Sequence, residues 1–227
     1  MSDGGMGGLR RPASAVVDGP GAIARILPVS RETMARLEIY VALLRKWQPA
    51  QNLVSPKTMD QIWRRHIADS AQLVALFPAA LRWADLGSGA GLPGLVTAIL
   101  LTGRDGAAVH LVESNQRKCA FLRTVVRETG APAMVHEGRI ESVLKHFVEP
   151  VDYVSARALA PLVSLLDLSE PLFASGARAA FHKGADFEGE LREASKSWSL
   201  DLVRHKSMID ADSSVVEILR AERRPAG

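Results

Sequence analysis

Cysteine is almost missing from this sequence: Cys119 is the single one among 227 residues. An internal disulfide is therefore impossible, and no Cys/His spacing reads as a zinc site, so no metal is expected. A chain of this kind suits a reducing, cytoplasmic compartment. Long apolar runs are lacking too. None approaches the roughly 20 residues of a membrane helix, and the N-terminus has no apolar signal-peptide core. A dominant charge is the third absence. Lys+Arg 28 against Asp+Glu 25 leave +3, so a case for a nucleic-acid partner rests on where the basic residues fall.

What is present fits an ordinary globular protein, with 47% hydrophobic and 23% charged residues and enough length for one good-sized core. Residues 1–21 are rich in glycine and small residues without periodicity and are expected to form a disordered tail. Arg10 and Arg11 lie in it, solvated or touching a polyanion. A helical pattern starts after Ser30, a suitable N-cap, with Met34, Leu37, Val41 and Leu44 on one face and Pro49 as its expected end. A second helix is expected from about Lys57 to Phe77. These two form an N-terminal helical cap, residues 22–80, ahead of the first strand.

From residue 81 strand and helix patterns alternate. Strands are expected at Leu81–Leu86, Ala108–Glu113, Ala133–His136, Val151–Ser155, Arg178–His182, Leu200–His205 and Ser213–Arg220. Helices are expected between the first six. The pattern predicts an α/β fold, a mostly parallel seven-stranded sheet with helices on both faces and an antiparallel last strand. Residues 81–227 would form one compact unit with the cap.

The stretch Trp83-Ala84-Asp85-Leu86-Gly87-Ser88-Gly89-Ala90-Gly91-Leu92-Pro93-Gly94 organises this half. A strand reaches an acid, breaks into a glycine turn and resumes as a helix, with Pro93 in its first turn. Glycines let the backbone pass close to a ligand, and the helix start offers unpaired N–H groups. Leu92 stands where a dinucleotide fingerprint has its third glycine, which counts against a nicotinamide dehydrogenase. Glu113 ends the next strand, the place for a carboxylate on ribose hydroxyls or merely an exposed acid. Asp85 either orders the loop and touches the ligand or only caps the turn.

Arg117, Lys118, Arg139, Arg157 and Lys183 each follow the carboxyl end of an expected strand, so the basic residues converge on a ligand rim despite the small net charge. Arg157 reads equally well as a surface salt bridge. His66 and Asp69 lie three apart on one helical face. A structural pair packing the cap is favoured there over acid–base catalysis. Arg64 and Arg65 extend the patch or are simply solvated, and Trp47 and Trp63 read as packing residues.

Asp85-Leu86-Gly87-Ser88-Gly89-Ala90-Gly91-Leu92-Pro93-Gly94 with Glu113 resembles the cofactor motif of S-adenosylmethionine-dependent methyltransferases, whose fold is Rossmann-like. Within them, the chain closely resembles the bacterial small-subunit ribosomal RNA guanine-N7 methyltransferases, also called glucose-inhibited division protein B. The likeness spans about Ser30 to Arg220 and rests on Asn52-Leu53, Arg65-His66-Ile67-Ala68-Asp69-Ser70, Leu92-Pro93-Gly94, Arg139-Ile140-Glu141, Ser155-Ala156-Arg157-Ala158 and Lys183-Gly184.

The resemblance implies S-adenosylmethionine as cofactor. Gly87 and Leu92 would line its methionine and ribose side beside Asp85 and Gly89, Glu113 would hold the ribose, and Ile140 and Glu141 would frame the adenine. Arg157 would meet the cofactor carboxylate or the RNA. It further implies in-line methyl transfer to N7 of a guanine in a loop of small-subunit (16S) ribosomal RNA near the decoding region. The substrate would be that RNA, an assembly intermediate or the small subunit, acted on by a monomer. N7 carries no proton, so no general base is required and no residue is nominated as the catalyst. The competing readings are the dehydrogenase, an RNA-binding protein without activity, and a methyltransferase of small molecules or proteins.

Overall fold

Seven strands lie in the order β3-β2-β1-β4-β5-β7-β6 in a computed structural model that describes residues 18–225. They are β1 (Arg82–Leu86), β2 (Ala108–Glu113), β3 (Ala133–Glu137), β4 (Tyr153–Arg157), β5 (Arg178–Lys183), β6 (Trp198–Lys206) and β7 (Ser214–Arg223). The first five are parallel, and β7 runs antiparallel between β5 and β6. Consecutive side chains point to opposite faces of a strand. Trp83, Val109, Leu111, Tyr153, Ala180 and Val215 accordingly enter one hydrophobic cluster. Ala84, Leu86, Val112, Val154, Ala156, Phe181 and Val216 enter the other. The sequence expectation of a mostly parallel α/β sheet with an antiparallel last strand is met.

On the first face sit α1 (Arg31–Gln51), α2 (Asp69–Leu76), α3 (Gly94–Leu100) and α4 (Gln116–Thr129). The second face is covered by α5 (Ile140–Leu144), α6 (Leu162–Ala174) and α7 (Phe187–Ala194). The cap shares its core with the sheet: Ile23, Leu37, Tyr40, Leu44 and Ile67 are fully buried in the same cluster as Trp83 and Leu95. Among the described residues no helix is long and apolar enough to cross a membrane.

Several local expectations are corrected. Ser30 caps α1, accepting the Thr33 N–H at 3.2 Å, but Pro49 does not end that helix. α1 continues to Gln51 and stops at Asn52, whose φ of 46° is left-handed, as is usual for a terminating residue. Beyond it, the buried Gln48 amide brackets Val54, donating to its carbonyl at 2.7 Å and accepting its N–H at 3.0 Å.

The single helix expected over Lys57–Phe77 is three pieces: a 3-10 turn Pro56–Gln61, a π-helical stretch Trp63–Ala68, and α2. The π stretch begins where both Asp18 carboxylate oxygens accept N–H groups, from Trp63 and Arg64 at 2.9 Å. Of the expected tail, residues 1–17, with Arg10 and Arg11, lie outside the described residues. Asp18–Gly21 instead belongs to the folded cap and leads into the 3-10 turn Pro20–Arg25 with buried Ile23. Pro93 stands at the N-cap of α3 and not in its first turn. β4 ends at Arg157, so that residue is the last of its strand, not one beyond it.

Candidate active site

The strand order reverses between β1 and β4, which places a crevice at their carboxyl ends. The turn after β1 forms its floor. Gly87, Gly89 and Gly91 have φ of 64°, 55° and 88°, the left-handed region that side chains disfavour. The turn is pinned from several sides. Ser88 donates its N–H to the Val112 carbonyl at 3.0 Å and its hydroxyl to the Asp85 carbonyl at 2.9 Å. From the cap, the buried Tyr40 hydroxyl donates to the Ala90 carbonyl at 2.8 Å.

Glu113 closes β2 beneath this turn, largely buried. One carboxylate oxygen accepts the Gly89 N–H at 2.9 Å and the other the Asn115 N–H at 2.7 Å. A carboxylate oxygen has two lone pairs, so each retains an acceptor position for a hydroxyl. Asp85 is 1% exposed and takes the Ser155 hydroxyl on Oδ1 at 2.7 Å. Burial pushes its carboxyl up to about 6, against the lowering by the hydrogen bond from Ser155. Among the described residues Oδ2 has no well-aligned donor. It points at the start of α3, where a Cβ on Gly94 would stand 2.7 Å away. Asp85 thus joins β1, β4 and the α3 N-terminus.

Arg157 is held across the crevice by the cap. Its Nη1 donates to Asp69 Oδ2 at 3.1 Å and to the Arg65 carbonyl at 3.2 Å, and Nη2 lies 2.9 Å from His66 Nδ1. A guanidinium only donates, so Nδ1 is the acceptor and the imidazole proton sits on Nε2. That nitrogen lies 2.8 Å from Thr58 Oγ1, which passes its own hydrogen to the Ser55 carbonyl at 2.8 Å. Burial first, then the Arg157 charge, lower His66 to about 4. His182 donates from Nε2 to the Asp69 carbonyl at 3.1 Å, and burial lowers its pKa as well.

Around these groups lies a cavity of about 940 Å³, bounded by Gly87, Gly89, Leu92, Lys118, Arg157 and Lys183 together with Leu53, Thr58, His66 and Asp69 from the cap. Of the residues singled out from the sequence, those first six meet at the cavity, and Arg65, His66 and Asp69 join them from the cap. Glu113 and Asp85 lie behind its floor. Arg139 and Glu141 are exposed at the N-terminus of α5 and Ile140 is packed against the second core cluster. They are tied to the site only indirectly, through the Gly138 N–H donated to the Glu113 carbonyl at 2.9 Å. Arg117 is exposed on the first turn of α4. Lys183 is buried against Glu190, 2.6 Å away. Trp47 packs on Phe121 at 5.7 Å and Trp63 is 4% exposed in the core.

Sequence reasoning missed Tyr40, Thr58, Leu159 and Glu190. A tyrosine in a helical apolar stripe reads as core, and the other three gain meaning only from partners distant in sequence.

The family model described as rRNA small subunit methyltransferase G matches residues 33–218. The chain belongs to that family. Curated relatives of the same name agree along nearly its whole length. One from Bradyrhizobium diazoefficiens is 51% identical over 203 residues, 89% of this chain and 78% of that protein. Another from Methylorubrum populi is 50% identical over 86% of this chain and 92% of that one. Solved structures carry the same fold at low identity. An O-methyltransferase from Bacillus cereus, described in complex with SAH, has a TM-score of 0.54 at 13% identity, covering 86% of this chain and 93% of that one. The O-methyltransferase TomG from Streptomyces achromogenes, in complex with SAM, has a TM-score of 0.54 at 12% identity over 86% and 92%. The fold is thus the Rossmann-like one of S-adenosylmethionine-dependent methyltransferases. In this member of the rRNA small subunit methyltransferase G family the helical cap walls the cavity and holds Arg157.

Proposed function

We propose that the protein transfers the methyl group of S-adenosylmethionine to N7 of a guanine in a loop of small-subunit (16S) ribosomal RNA near the decoding region. The observation that carries this is the cavity at the β1–β4 reversal, floored by three left-handed glycines and backed by Glu113. Its volume is at the upper end of small-molecule sites, roughly 300–1,000 Å³, which leaves room for a base beside a cofactor. Bound there, S-adenosylmethionine supplies an electrophilic methyl. Gly87, Gly89 and Leu92 would lie along it, Glu113 would accept from the sugar hydroxyls, and Ile140 and Glu141 would flank the purine. Asp85 would order the loop. The fit rests on the spare lone pairs of Glu113 and on Gly87, where a Cβ would come within 2.5 Å of Leu159.

Guanine N7 offers an in-plane lone pair and no proton, so this chain's part is to orient the base in line and keep water out. The base must be unstacked to enter. Arg157 would face the cofactor carboxylate or the RNA, while Arg117, Lys118 and Arg139 would meet phosphates, in the cytoplasm where the ribosomal RNA is assembled.

The test is incubation of small-subunit RNA, an assembly intermediate and the complete subunit with a labelled methyl donor, followed by mapping of the modified position. The expected result is label at N7 of one guanine with at least one of the three substrates. Label on another base or atom, or none in any arm, refutes the proposal.

A further inference from the structure

The connection from β4 to α6 walls the cavity, and groups with no part in the cofactor motif hold it. Lys183 ends β5 with its side chain 6% exposed. Its Nζ donates to the Ala160 carbonyl at 3.0 Å and to Glu190 Oε2 at 2.6 Å. The same Glu190 oxygen accepts the Leu162 N–H at 2.5 Å. Leu162 is the first residue of α6, whose own N-cap position is Pro161 and supplies no side-chain acceptor. Glu190, on α7, therefore fills from another helix the role of a capping oxygen.

Between these fixed points the backbone is unusual. Ala158 has φ of 51°, a left-handed conformation that residues with a side chain rarely adopt. It turns Leu159 back over the crevice floor, where a Cβ on Gly87 would stand 2.5 Å from Leu159 Cδ1 and 3.1 Å from Cδ2. Leu159 remains 36% exposed, an apolar side chain lining a cavity rather than filling a core.

We propose that Lys183 and Glu190 form a clip that fixes residues 158–162 over Gly87, and that both are positioning residues for methyl transfer. The inference rests on the methyltransferase reading and gives Lys183 a different task from the phosphate contact expected of it. Its charge is matched by Glu190 and its Nζ is turned inward to a carbonyl. Phosphates are left to rim residues such as Lys118. The clip sets the height of Leu159, and with it the apolar wall against which base and methyl donor align. Small displacements of such a wall are costly, about 100-fold in rate for 1 Å.

The test compares the full chain with Lys183→Met, Glu190→Gln and Lys118→Ala. Hydrogen exchange in peptides covering 158–163 should quicken tenfold or more in the first two variants and stay at the parent rate in the third. In methylation assays on small-subunit RNA, Lys183→Met and Glu190→Gln should lower kcat by about 10- to 100-fold. RNA affinity should stay within about twofold, and the slope of log affinity on log salt should not change. A phosphate-binding lysine behaves oppositely: its loss reduces that slope by about 0.7–0.9, as expected for Lys118→Ala.

A reduced slope in Lys183→Met, together with parent exchange and turnover in Glu190→Gln, overturns the clip. If Lys183→Met does not fold, Glu190→Gln alone decides by the same two readouts. If the parent chain methylates no RNA, the functional reading fails while exchange still decides whether the segment is clipped.

Discussion

Replacing His66 with asparagine should change how stability depends on pH, and the sign follows from one hydrogen-bond chain. Arg157 donates to Nδ1 and the opposite nitrogen donates to Thr58. A proton on Nδ1 would set two donors face to face beside a guanidinium. Burial and that guanidinium lower the folded pKa from 6.5 to about 4. The unfolded chain thus binds a proton that the folded one refuses. The stabilisation is complete above pH 6.5 and is lost as the pH falls towards 4. Its size is about 3 kcal/mol, because each tenfold loss of proton affinity on folding is worth about 1.4 kcal/mol. Asparagine keeps an acceptor near the Nδ1 position and does not titrate. Urea unfolding of both proteins in steps from pH 4 to pH 7 should show the parent's advantage growing by about 3 kcal/mol. The difference between proteins is the proper readout because Asp85 opposes it. Asp85 is raised to about 6 by burial, so its contribution is present below its unfolded pKa and fades as the pH rises to 6, lowering both profiles alike. Parallel profiles for the two proteins would refute the assignment of Nδ1 as the acceptor for Arg157.

Three further outcomes are expected. Tyr40→Phe strips the buried Ala90 carbonyl of its donor and should cost about 1–3 kcal/mol, read as a drop of roughly 2–4 °C in melting temperature per kcal/mol. An unchanged melting temperature would contradict the bond at 2.8 Å. Glu113→Ala frees the Gly89 and Asn115 N–H groups, so calorimetry should show S-adenosylmethionine affinity reduced tenfold or more. Full affinity would remove Glu113 from the site. Ala158→Gly relieves the left-handed residue and should stabilise the fold by about 1 kcal/mol in urea titrations. Its turnover should nevertheless fall, because the same change loosens the segment that carries Leu159.

Much of this was legible because it is local or periodic. Alternating apolar residues such as Val109 and Leu111 against Val112 fix the two faces of a strand, and the run from Asp85 to Gly94 announces a turn that only glycine fills comfortably. The cap was harder to read. The side chain of Asp18, 45 positions before Trp63, meets what periodicity presents as one long helix at the point where the π-helical stretch begins. Pro49 is tolerated in the last turn of α1, where burial of Leu44 and Gln48 outweighs the carbonyl it leaves unpaired. Site chemistry escaped for the same reason. The partners of Arg157 lie 88 to 92 residues away, and no spacing rule links them.

The basic residues show what this difference means for function. All stand at carboxyl ends of strands or just beyond, as the sequence places them, yet the folded molecule divides their work. Arg157 and Lys183 are drawn inward, the first to Asp69 and His66, the second to Glu190 and Ala160. Arg117 and Arg139 remain exposed and Lys118 borders the cavity. A buried charge persists only when it is paired and hydrogen-bonded, so the inner two are costly to move and suited to fixing geometry. The outer ones are open to solvent and screened by salt, which suits reversible contact with phosphates. The cap supplies Asp69, His66 and Tyr40, so its separation from the sheet would do more than uncover the cavity. It would release Arg157 and the Ala90 turn together, coupling the order of the crevice to the packing of residues as distant as Ile23.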